Sequence, residues 1–368
     1  MKIAVSADCF SSFTSGFPVR GMMLNLIQMR KQDTFVLYYT KRETPKILSC
    51  FYDKIHDLNN VEVRYYKYSR TMVAFRRLFG FSLIPKTNEF SLFLNPGCPE
   101  TCSSLGVPQI CSIADFSTLK GHSTGKYAWF YKYFNRWAFK RSFEKIDRII
   151  SISHHTKKDL LSFWPQFKSK LFVVYNGIDD LWFNDKVIRC DCNPFKGEPY
   201  FIWWGLVSRR KNVETLIEAY KLAKNECSNL PNLLLIGRVE QYMTSIIRGL
   251  LNKNIQIIPF QETYVLKDLV QNSSGLIFPS FYEGFGLPVI EAFSRGVPVA
   301  CSNVSSLPEI VNGHALLFNP YDVLEMKAKI IQLADRHWDK QELIEHAKKY
   351  TYYRAAQSYS QIIDNLIC

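Results

Sequence analysis

One segment of the chain, residues 275–292, joins a buried strand, an acidic glycine loop and the start of a helix. Its first four residues are apolar and typical of a strand, whereas Pro288 favours the first turn of a helix, where a missing N–H costs nothing. The loop carries Glu283 and two glycines, which let backbone approach a ligand closely. Because free N–H groups at a helix start attract anions, a phosphate bound there would lie between Glu283 and Glu291.

Strand and helix patterns alternate along the whole chain. Strands are predicted at residues 2–7, 34–39, 61–66, 90–94, 109–113, 148–153 and 171–175, and then at 200–204, 232–236, 255–259, 275–278, 298–302 and 315–318. Helices are predicted between them, for example at residues 18–30, 126–144, 212–225 and 323–334. This alternation predicts an α/β fold with parallel sheets and two doubly wound, Rossmann-like domains. Turn residues cluster at 182–199, which predicts the linker there.

The strand, acidic loop and helix start at residues 275–292 resemble the signature of glycosyltransferase family 4. The resemblance rests on Pro279–Ala292, Gly296–Val299 and Ser305–Glu309, and it extends to Gly205–Asn212 and Tyr175–Asp179. It implies a GT-B fold, a nucleotide-sugar donor and retention of configuration at the transferred sugar. It also implies an acceptor-side domain at residues 1–190, a donor-binding domain at 191–350, and a C-terminal helix at 351–368 that packs back on the first domain.

The resemblance assigns roles to individual residues. Glu283 is expected to contact the sugar hydroxyls, and Glu291 the ribose hydroxyls. Arg210 and Lys211 are expected to neutralise the diphosphate, because preorganised charge at a leaving group usually dominates transfer chemistry. The catalytic candidates are Glu283, Arg210 and Lys211, and the donor-binding candidates are Gly16, Gly205, Arg209, Phe285, Gly286, Leu287 and Glu291. As a loop residue, Glu283 is expected to add little to the stability of the fold.

The chain departs from the family pattern in the loop Gly205–Asn212, which the resemblance assigns to binding the donor diphosphate. Leu206 follows Gly205 where many members have arginine, so Arg209 or Arg210 has to supply that cation. In the first domain, the glycine loop that faces the donor is represented only by Ser15–Phe17, which retains a single glycine.

A second departure concerns the acceptor side. Ala114 precedes Asp115 where many members have a histidine near the transferred sugar. The acceptor-side candidates are therefore Asp115 and His122, with His154 and His155 as alternatives.

No metal or cofactor is expected. The Asp-x-Asp motif that binds a metal and a diphosphate in the GT-A class is absent from the sequence. Ten cysteines include close pairs at 98/102 and 190/192, but neither pair has a matching second pair or a histidine at the spacing of a zinc site. We therefore expect reduced structural thiols.

Charge is distributed unequally between the two predicted domains. Residues 1–190 hold 28 Lys and Arg against 15 Asp and Glu, whereas residues 191–368 hold 18 of each. A basic domain suits a nucleic acid, an anionic membrane or a phosphorylated substrate. In the basic stretch 126–148, Phe130, Phe134, Trp137 and Arg141 fall on one helical face, which predicts core packing for much of its aromatic content.

The expected location is the cytoplasm, with peripheral attachment to the inner face of the membrane as an open alternative. No apolar run approaches the roughly twenty residues that a membrane span needs. The opening residues 1–8 lack the longer apolar region of a secretory signal.

The sequence thus predicts a retaining hexosyltransferase of surface polysaccharide assembly, including lipopolysaccharide assembly, acting on a glycan or lipid-linked acceptor. Mannose is the first choice of sugar, so the donor would be GDP-mannose, with a UDP-sugar as the other choice. Two rivals remain: a nucleotide-sugar epimerase of GT-B fold, and a basic nucleic-acid-binding protein, for which no motif is found.

Overall fold

A computed structural model describes residues 1–11, 16–39, 54–55, 57–68, 71–72, 75–76, 84, 88–97, 106–122, 128–184 and 192–367. The chain divides into two compact units. The first unit comprises Met1–Gly177 and Thr351–Cys368, and the second comprises Ile178–Tyr350.

The first unit is built on a parallel sheet. Its described strands are β1 (Lys2–Ser6), β2 (Thr34–Tyr39), β3 (Val61–Tyr65), β4 (Leu92–Asn95), β5 (Gln109–Ile113), β6 (Arg148–Ser151) and β7 (Leu171–Val173), in the order β3-β2-β1-β4-β5-β6-β7. Its described helices are α1 (Gly16–Met29), α2 (Ala128–Lys145), α3 (His154–Phe163) and, from the end of the chain, α11 (Tyr352–Ile367). The order reverses direction between β1 and β4, as in a doubly wound fold.

The C-terminal helix α11 packs on α1 in the core of the first unit. Its buried residues follow helical spacing and form one apolar face, comprising Ala355, Ala356, Tyr359, Ile362 and Ile363. Arg30, just after α1, fixes the helix by donating from Nη1 to Asp364 Oδ1 and to Ser360 Oγ, each at 2.7 Å. The predicted return of the last helix to the first domain is confirmed.

The second unit repeats the architecture. Its strands are β8 (Tyr200–Trp204), β9 (Asn232–Ile236), β10 (Ile255–Ile258), β11 (Gly275–Phe278), β12 (Val299–Ser302) and β13 (Leu316–Phe318), in the parallel order β10-β9-β8-β11-β12-β13. The helices are α4 (Val213–Glu226), α5 (Thr244–Leu250), α6 (Thr263–Gln271), α7 (Leu287–Ser294), α8 (Leu307–Val311), α9 (Val323–Asp335) and α10 (Lys340–Ala347). Every residue of β8, β9, β11 and β12 is buried, because helices cover both faces of a parallel sheet.

The division between the units falls earlier than the linker predicted at 182–199. Trp182 is 3% exposed and stacks on Trp204 of β8, with ring centroids 6.5 Å apart. Lys267 Nζ donates to the carbonyl oxygens of Leu181 and Asn184, at 3.0 and 2.6 Å. These contacts make residues 178–184 part of the second unit, although turn residues dominate the sequence that follows.

Cysteine chemistry differs in part from the expectation of reduced thiols. Cys9, Cys111, Cys227 and Cys301 are not in disulfide bonds, whereas Cys192 is disulfide-bonded. Cys98, Cys102 and Cys190 lie outside the described residues. Within the part of the chain that the structure describes, no helix is long and apolar enough to cross a membrane.

Candidate functional site

Three loops meet at the carboxyl edge of the second sheet, where β8, β11 and β12 are neighbours. They follow those strands at residues 205–212, 279–286 and 303–306. The strand order reverses between β8 and β11, and open α/β sheets bind ligands at such a switch point. The topology therefore places the two segments that carry Arg210, Lys211 and Glu283 beside each other.

Backbone and amide contacts lock the first of these loops onto the second. Asn212 is 4% exposed and adopts the left-handed conformation, with φ 55° and ψ 35°. Its side-chain amide donates to the carbonyl oxygens of Pro279 at 3.1 Å and Pro320 at 2.9 Å. The Phe281 N–H donates to the Arg210 carbonyl at 2.9 Å. Asn212 therefore fixes the two cations that precede it.

Glu283 is paired with both cations. Its Oε1 lies 2.6 Å from Lys211 Nζ, and its Oε2 lies 3.2 Å from Arg210 Nη1. Arg210 Nη1 also donates to the Tyr282 carbonyl at 2.5 Å. Burial alone would raise the pKa of Glu283, but the nearby Lys211 and Arg210 charges overcome burial and lower that pKa to about 2. At neutral pH the site thus holds a carboxylate between two cations.

This pairing changes the role of Glu283 in the fold. Its side chain is 9% exposed, so removing it would leave two partly buried cations without their counter-charge. These contacts indicate that Glu283 stabilises the fold, contrary to the expectation that this loop carboxylate adds little to stability.

Two serines after β12 hold the backbone of the acidic loop. The Glu283 N–H donates to Ser305 Oγ at 3.0 Å. Ser306 Oγ lies 3.0 Å from the carbonyl oxygens of both Glu283 and Phe285, to which it donates. Sequence reasoning quoted these serines only as part of the family pattern and gave them no role. Two adjacent serines just before a helix were the available signal.

Glu291 is oriented by a tryptophan that the sequence did not single out. Trp204, the last residue of β8, donates from Nε1 to Glu291 Oε2 at 3.1 Å and stacks on Trp182. Burial raises the pKa of Glu291 to about 7, although the Trp204 bond acts in the opposite direction. Glu291 is the fifth residue of α7, so it lies in the second turn of that helix.

Glycines allow the loops to approach closely. Gly205 and Gly237 both have φ 146°, and a Cβ on Gly237 would lie 1.8 Å from the Gly205 carbonyl oxygen. Gly286, with φ 100°, precedes Leu287 and the α7 N-terminus. Phe285 is 3% exposed and its ring meets Tyr350 edge-on at 5.6 Å, so only its backbone can serve a ligand.

Arg209 differs from its two neighbours in the sequence. Its side chain is exposed, and its N–H donates to Tyr242 Oη at 3.2 Å. Leu206, which stands where many family members have arginine, is 41% exposed. Of the three consecutive cations, Arg210 and Lys211 are therefore the pair that engages the acidic loop.

The remaining candidates belong to the first unit. Gly16 is the first residue of α1, and Ser15 lies outside the described residues. Asp115 follows β5, and its Oδ1 accepts from the Ser117 N–H at 2.8 Å. The His122 N–H donates to the Ser117 carbonyl at 2.9 Å, so the two acceptor-side candidates share one turn.

The alternative histidines lie at the start of α3. The His154 ring packs on Tyr175 with centroids 6.0 Å apart. His155 Nε2 lies 3.3 Å from the buried carboxylate of Asp159, which also accepts from Lys120 at 2.6 Å.

A cavity of about 580 Å³ adjoins the site on the β9 and β10 side. Its lining includes Gly237, Arg238, Arg248, Pro259 and Phe260. Neighbouring strands lie about 4.8 Å apart, so one extended ligand can reach from this cavity to the β8 loop. No cluster of three or more His, Cys, Asp or Glu placed to hold a metal occurs among the residues described.

Two family models match the sequence. Residues 186–350 match the model described as Glycosyl transferases group 1, and residues 55–180 match the model described as Glycosyltransferase Family 4. Together they match residues 55–177 of the first unit and nearly all of the second.

Curated relatives match over part of their length. The O-antigen chain mannosyltransferase B of Escherichia coli is 38% identical over 144 residues, which are 38% of this chain and 38% of that protein. The serotype-specific mannosyltransferase WbdA of Escherichia coli is 25% identical over 196 residues, 50% of this chain and 24% of that protein. The O-antigen chain mannosyltransferase RfbU of Salmonella typhimurium is 26% identical over 195 residues, 52% of each chain. The chain thus spans about a quarter to a half of the length of these relatives.

Solved structures match over the full chain. Sucrose-phosphate synthase from Thermosynechococcus elongatus gives a TM-score of 0.72 at 16% identity, covering 100% of this chain and 99% of that one. Anabaena HepE in complex with UDP and glucose gives a TM-score of 0.68 at 15% identity, with 100% of each chain covered. This likeness confirms the predicted GT-B fold.

Proposed function

We propose that this chain, which belongs to glycosyltransferase family 4, transfers a hexose from a nucleotide diphosphate sugar to a hydroxyl of a glycan or lipid-linked acceptor. The observation that carries the proposal is the contact of Glu283 with Arg210 and Lys211 at the switch point of the second sheet. The names of the Escherichia coli and Salmonella relatives support mannose as the sugar and O-antigen or related surface polysaccharide as the product.

The two cations would receive the diphosphate. A diphosphate at the start of α7 would meet the N–H of Leu287, since Pro288 has no N–H and the Val289 N–H already donates to the Gly286 carbonyl at 3.0 Å. Arg210 and Lys211 contact Glu283, which lies four residues before α7 begins, so a diphosphate bound there would share their charge with that carboxylate. Charge that develops on the leaving phosphate is thereby stabilised without reorganisation of the site.

The two carboxylates would hold the two ends of the donor. Glu283 accepts hydrogen bonds from sugar hydroxyls, and Glu291, held by Trp204, accepts them from the ribose. The cavity beside β9 and β10 would take the base, which Phe260, 55% exposed, can stack against. A ribose between the base and the diphosphate then lies near the end of β8.

Retention follows from attack on the face that the leaving group occupies. The acceptor oxygen forms a bond to the anomeric carbon while the bond from that carbon to the diphosphate oxygen breaks. The acceptor proton passes to the departing phosphate oxygen. The step needs no separate general base, and no metal or cofactor is assigned to it.

Donor binding can be tested with a panel of nucleotide sugars and free nucleotides in the presence of EDTA. A ligand of the folded state raises the free energy of unfolding by about 2.7 kcal/mol at a hundredfold excess over its Kd. We expect GDP-mannose to raise Tm, and then to yield product only when an acceptor is added. Conversion of a nucleotide sugar without acceptor would favour the epimerase, and a Tm unmoved by every nucleotide sugar would contradict the proposal.

Lys211→Ala should weaken donor binding at least about tenfold, because one charge-assisted contact to phosphate is worth roughly 1.5–3 kcal/mol. Calorimetry with a nucleoside diphosphate measures the change. The control is Lys253→Ala, an exposed lysine that precedes β10 at the opposite edge of the same sheet. Equal affinities of the two variants would remove Lys211 from the diphosphate site.

The proposed setting is cytoplasmic, because that is where nucleotide sugars are made. The first unit also offers a partner surface. It holds 27 Lys and Arg against 13 Asp and Glu, whereas the second unit holds 19 against 20. Part of this excess lies on one helix.

A further inference from the structure

Helix α2 carries an exposed aromatic stripe. Trp129, Tyr133 and Trp137 are 66%, 68% and 45% exposed. They recur every four residues, so they lie on one side of the helix. Three exposed aromatic side chains on one side of a helix form a candidate interaction surface.

Cations flank the stripe. Lys132, Arg136, Lys140 and Arg141 are exposed, and the helix has five basic residues against the single acid Glu144. The Arg141 guanidinium lies 5.4 Å from the Trp137 ring centroid. An anionic partner therefore finds charge and aromatic surface on the same face.

The helix is anchored to the core by other residues than the sequence indicated. Phe143 is fully buried and meets Trp164 edge-on at 5.5 Å, while Phe139 packs on Phe116 at 5.8 Å. Trp137, for which core packing was predicted with the other aromatic residues of its face, is exposed, and so is Arg141. The buried end holds the helix in place, so the stripe is presented by a fixed element.

A groove runs along the stripe. It has a volume of about 410 Å³, and its lining includes Arg136, Lys140, Phe163 and Trp164. The Arg136 guanidinium lies 5.7 Å from the Phe163 ring centroid. The groove can admit a phosphate headgroup between its two cations.

We propose that this face of α2 docks the protein on an anionic lipid bilayer. Trp and Tyr prefer the headgroup level of a membrane, and helices with Lys and Arg beside such aromatics lie in the interface plane. The 18 residues of α2 span about 27 Å, which is enough to lay the stripe along the surface. This docking is independent of donor binding, and it would bring the acceptor-side unit to lipid-linked substrates.

The test is flotation of the full chain with vesicles of phosphatidylglycerol and phosphatidylcholine, compared with phosphatidylcholine alone. We expect binding only to the anionic vesicles. Lys132→Gln/Arg136→Gln/Lys140→Gln should lower the partition coefficient about a hundredfold. The matched control is Lys253→Gln/Lys340→Gln/Lys349→Gln, which removes the same charge from exposed positions of the second unit. Equal losses in both variants would mean that net charge, rather than this face, drives binding.

Brominated lipids give a second readout. They quench tryptophans that enter the headgroup region, so Trp129→Phe/Trp137→Phe should remove most of the quenching while vesicle binding persists. Unchanged quenching would overturn the proposed orientation, and binding of RNA in preference to vesicles would overturn the choice of partner. Neither assay contains donor or acceptor, so failure here leaves the proposed transfer standing, and failure of transfer leaves this result standing.

Discussion

Glu283→Gln is expected to lower hexose transfer by at least about a thousandfold while nucleoside diphosphate binding persists. Removing one preorganised electrostatic contact to the reacting group typically costs a hundred- to a thousandfold, and Glu283 also orients the sugar. The diphosphate should bind as well as before or more tightly, because the carboxylate no longer competes for Lys211 and Arg210. Single-turnover transfer and calorimetry with the nucleoside diphosphate separate the two effects.

The same substitution should also lower stability. Breaking a buried pair leaves uncompensated charge, so a loss of about 3 kcal/mol in the free energy of unfolding is expected at pH 7. The pKa of Glu283 falls from 4.5 to about 2 on folding, so its contribution is present above pH 4.5 and is lost as the pH falls toward 2. The difference from the parent should shrink over that window.

Glu262→Gln is the control for this prediction, because Glu262 is an exposed loop carboxylate of the same unit. Parent-like turnover of Glu283→Gln on the true donor would remove Glu283 from the mechanism. A nucleoside diphosphate that fails to restore the lost stability would argue against its binding to the released cations.

The fold could be predicted because the core strands are apolar runs that stand out in the sequence. Tyr200–Trp204 is an apolar run of five, Asn232–Ile236 has four apolar residues after its asparagine, and the structure has both strands at the predicted bounds. Edges were less certain: the strand predicted at 90–94 is Leu92–Asn95, since Phe90 packs beside the sheet without joining it. A strand buried on both faces is recognised in the sequence as a continuous apolar run, whereas the residue at which its ladder hydrogen bonds end has no comparable sequence pattern.

One feature of the site and one of helix α2 could not be predicted. Trp204 and Glu291 are separated by 87 residues, and no local pattern tells which buried aromatic will reach which carboxylate. Likewise, helical spacing predicts that residues of α2 share a face but not which face turns inward. That choice depends on Trp164 and Phe116, which lie elsewhere in the chain and pack against Phe143 and Phe139.

Glu291→Ala should weaken nucleoside diphosphate binding about a hundredfold, and more than Glu283→Ala does. Two hydrogen bonds from ribose hydroxyls to a carboxylate are lost, each worth roughly 1.5 kcal/mol or more. Glu283 by contrast is assigned to the sugar, which a free nucleoside diphosphate lacks. Calorimetry on both variants decides between the roles, and equal losses would contradict the assignment.

The pH dependence of nucleotide-sugar binding is a sharper test of the role of Glu291. Its pKa is raised from 4.5 to about 7, so the ionised form that accepts two hydroxyl groups becomes dominant only above that value. Binding of a nucleotide sugar, whose diphosphate does not titrate in this range, should strengthen from pH 6 to pH 8 in the parent and stay flat in Glu291→Gln. Because the folded pKa is the higher one, ionisation costs stability above pH 4.5, so Glu291→Gln should gain in Tm at pH 8 and not at pH 4.

Trp204→Phe keeps an aromatic ring against Trp182 but removes the N–H donor, and should move the binding midpoint to higher pH. A midpoint that Trp204→Phe leaves in place would show that the indole does not orient Glu291.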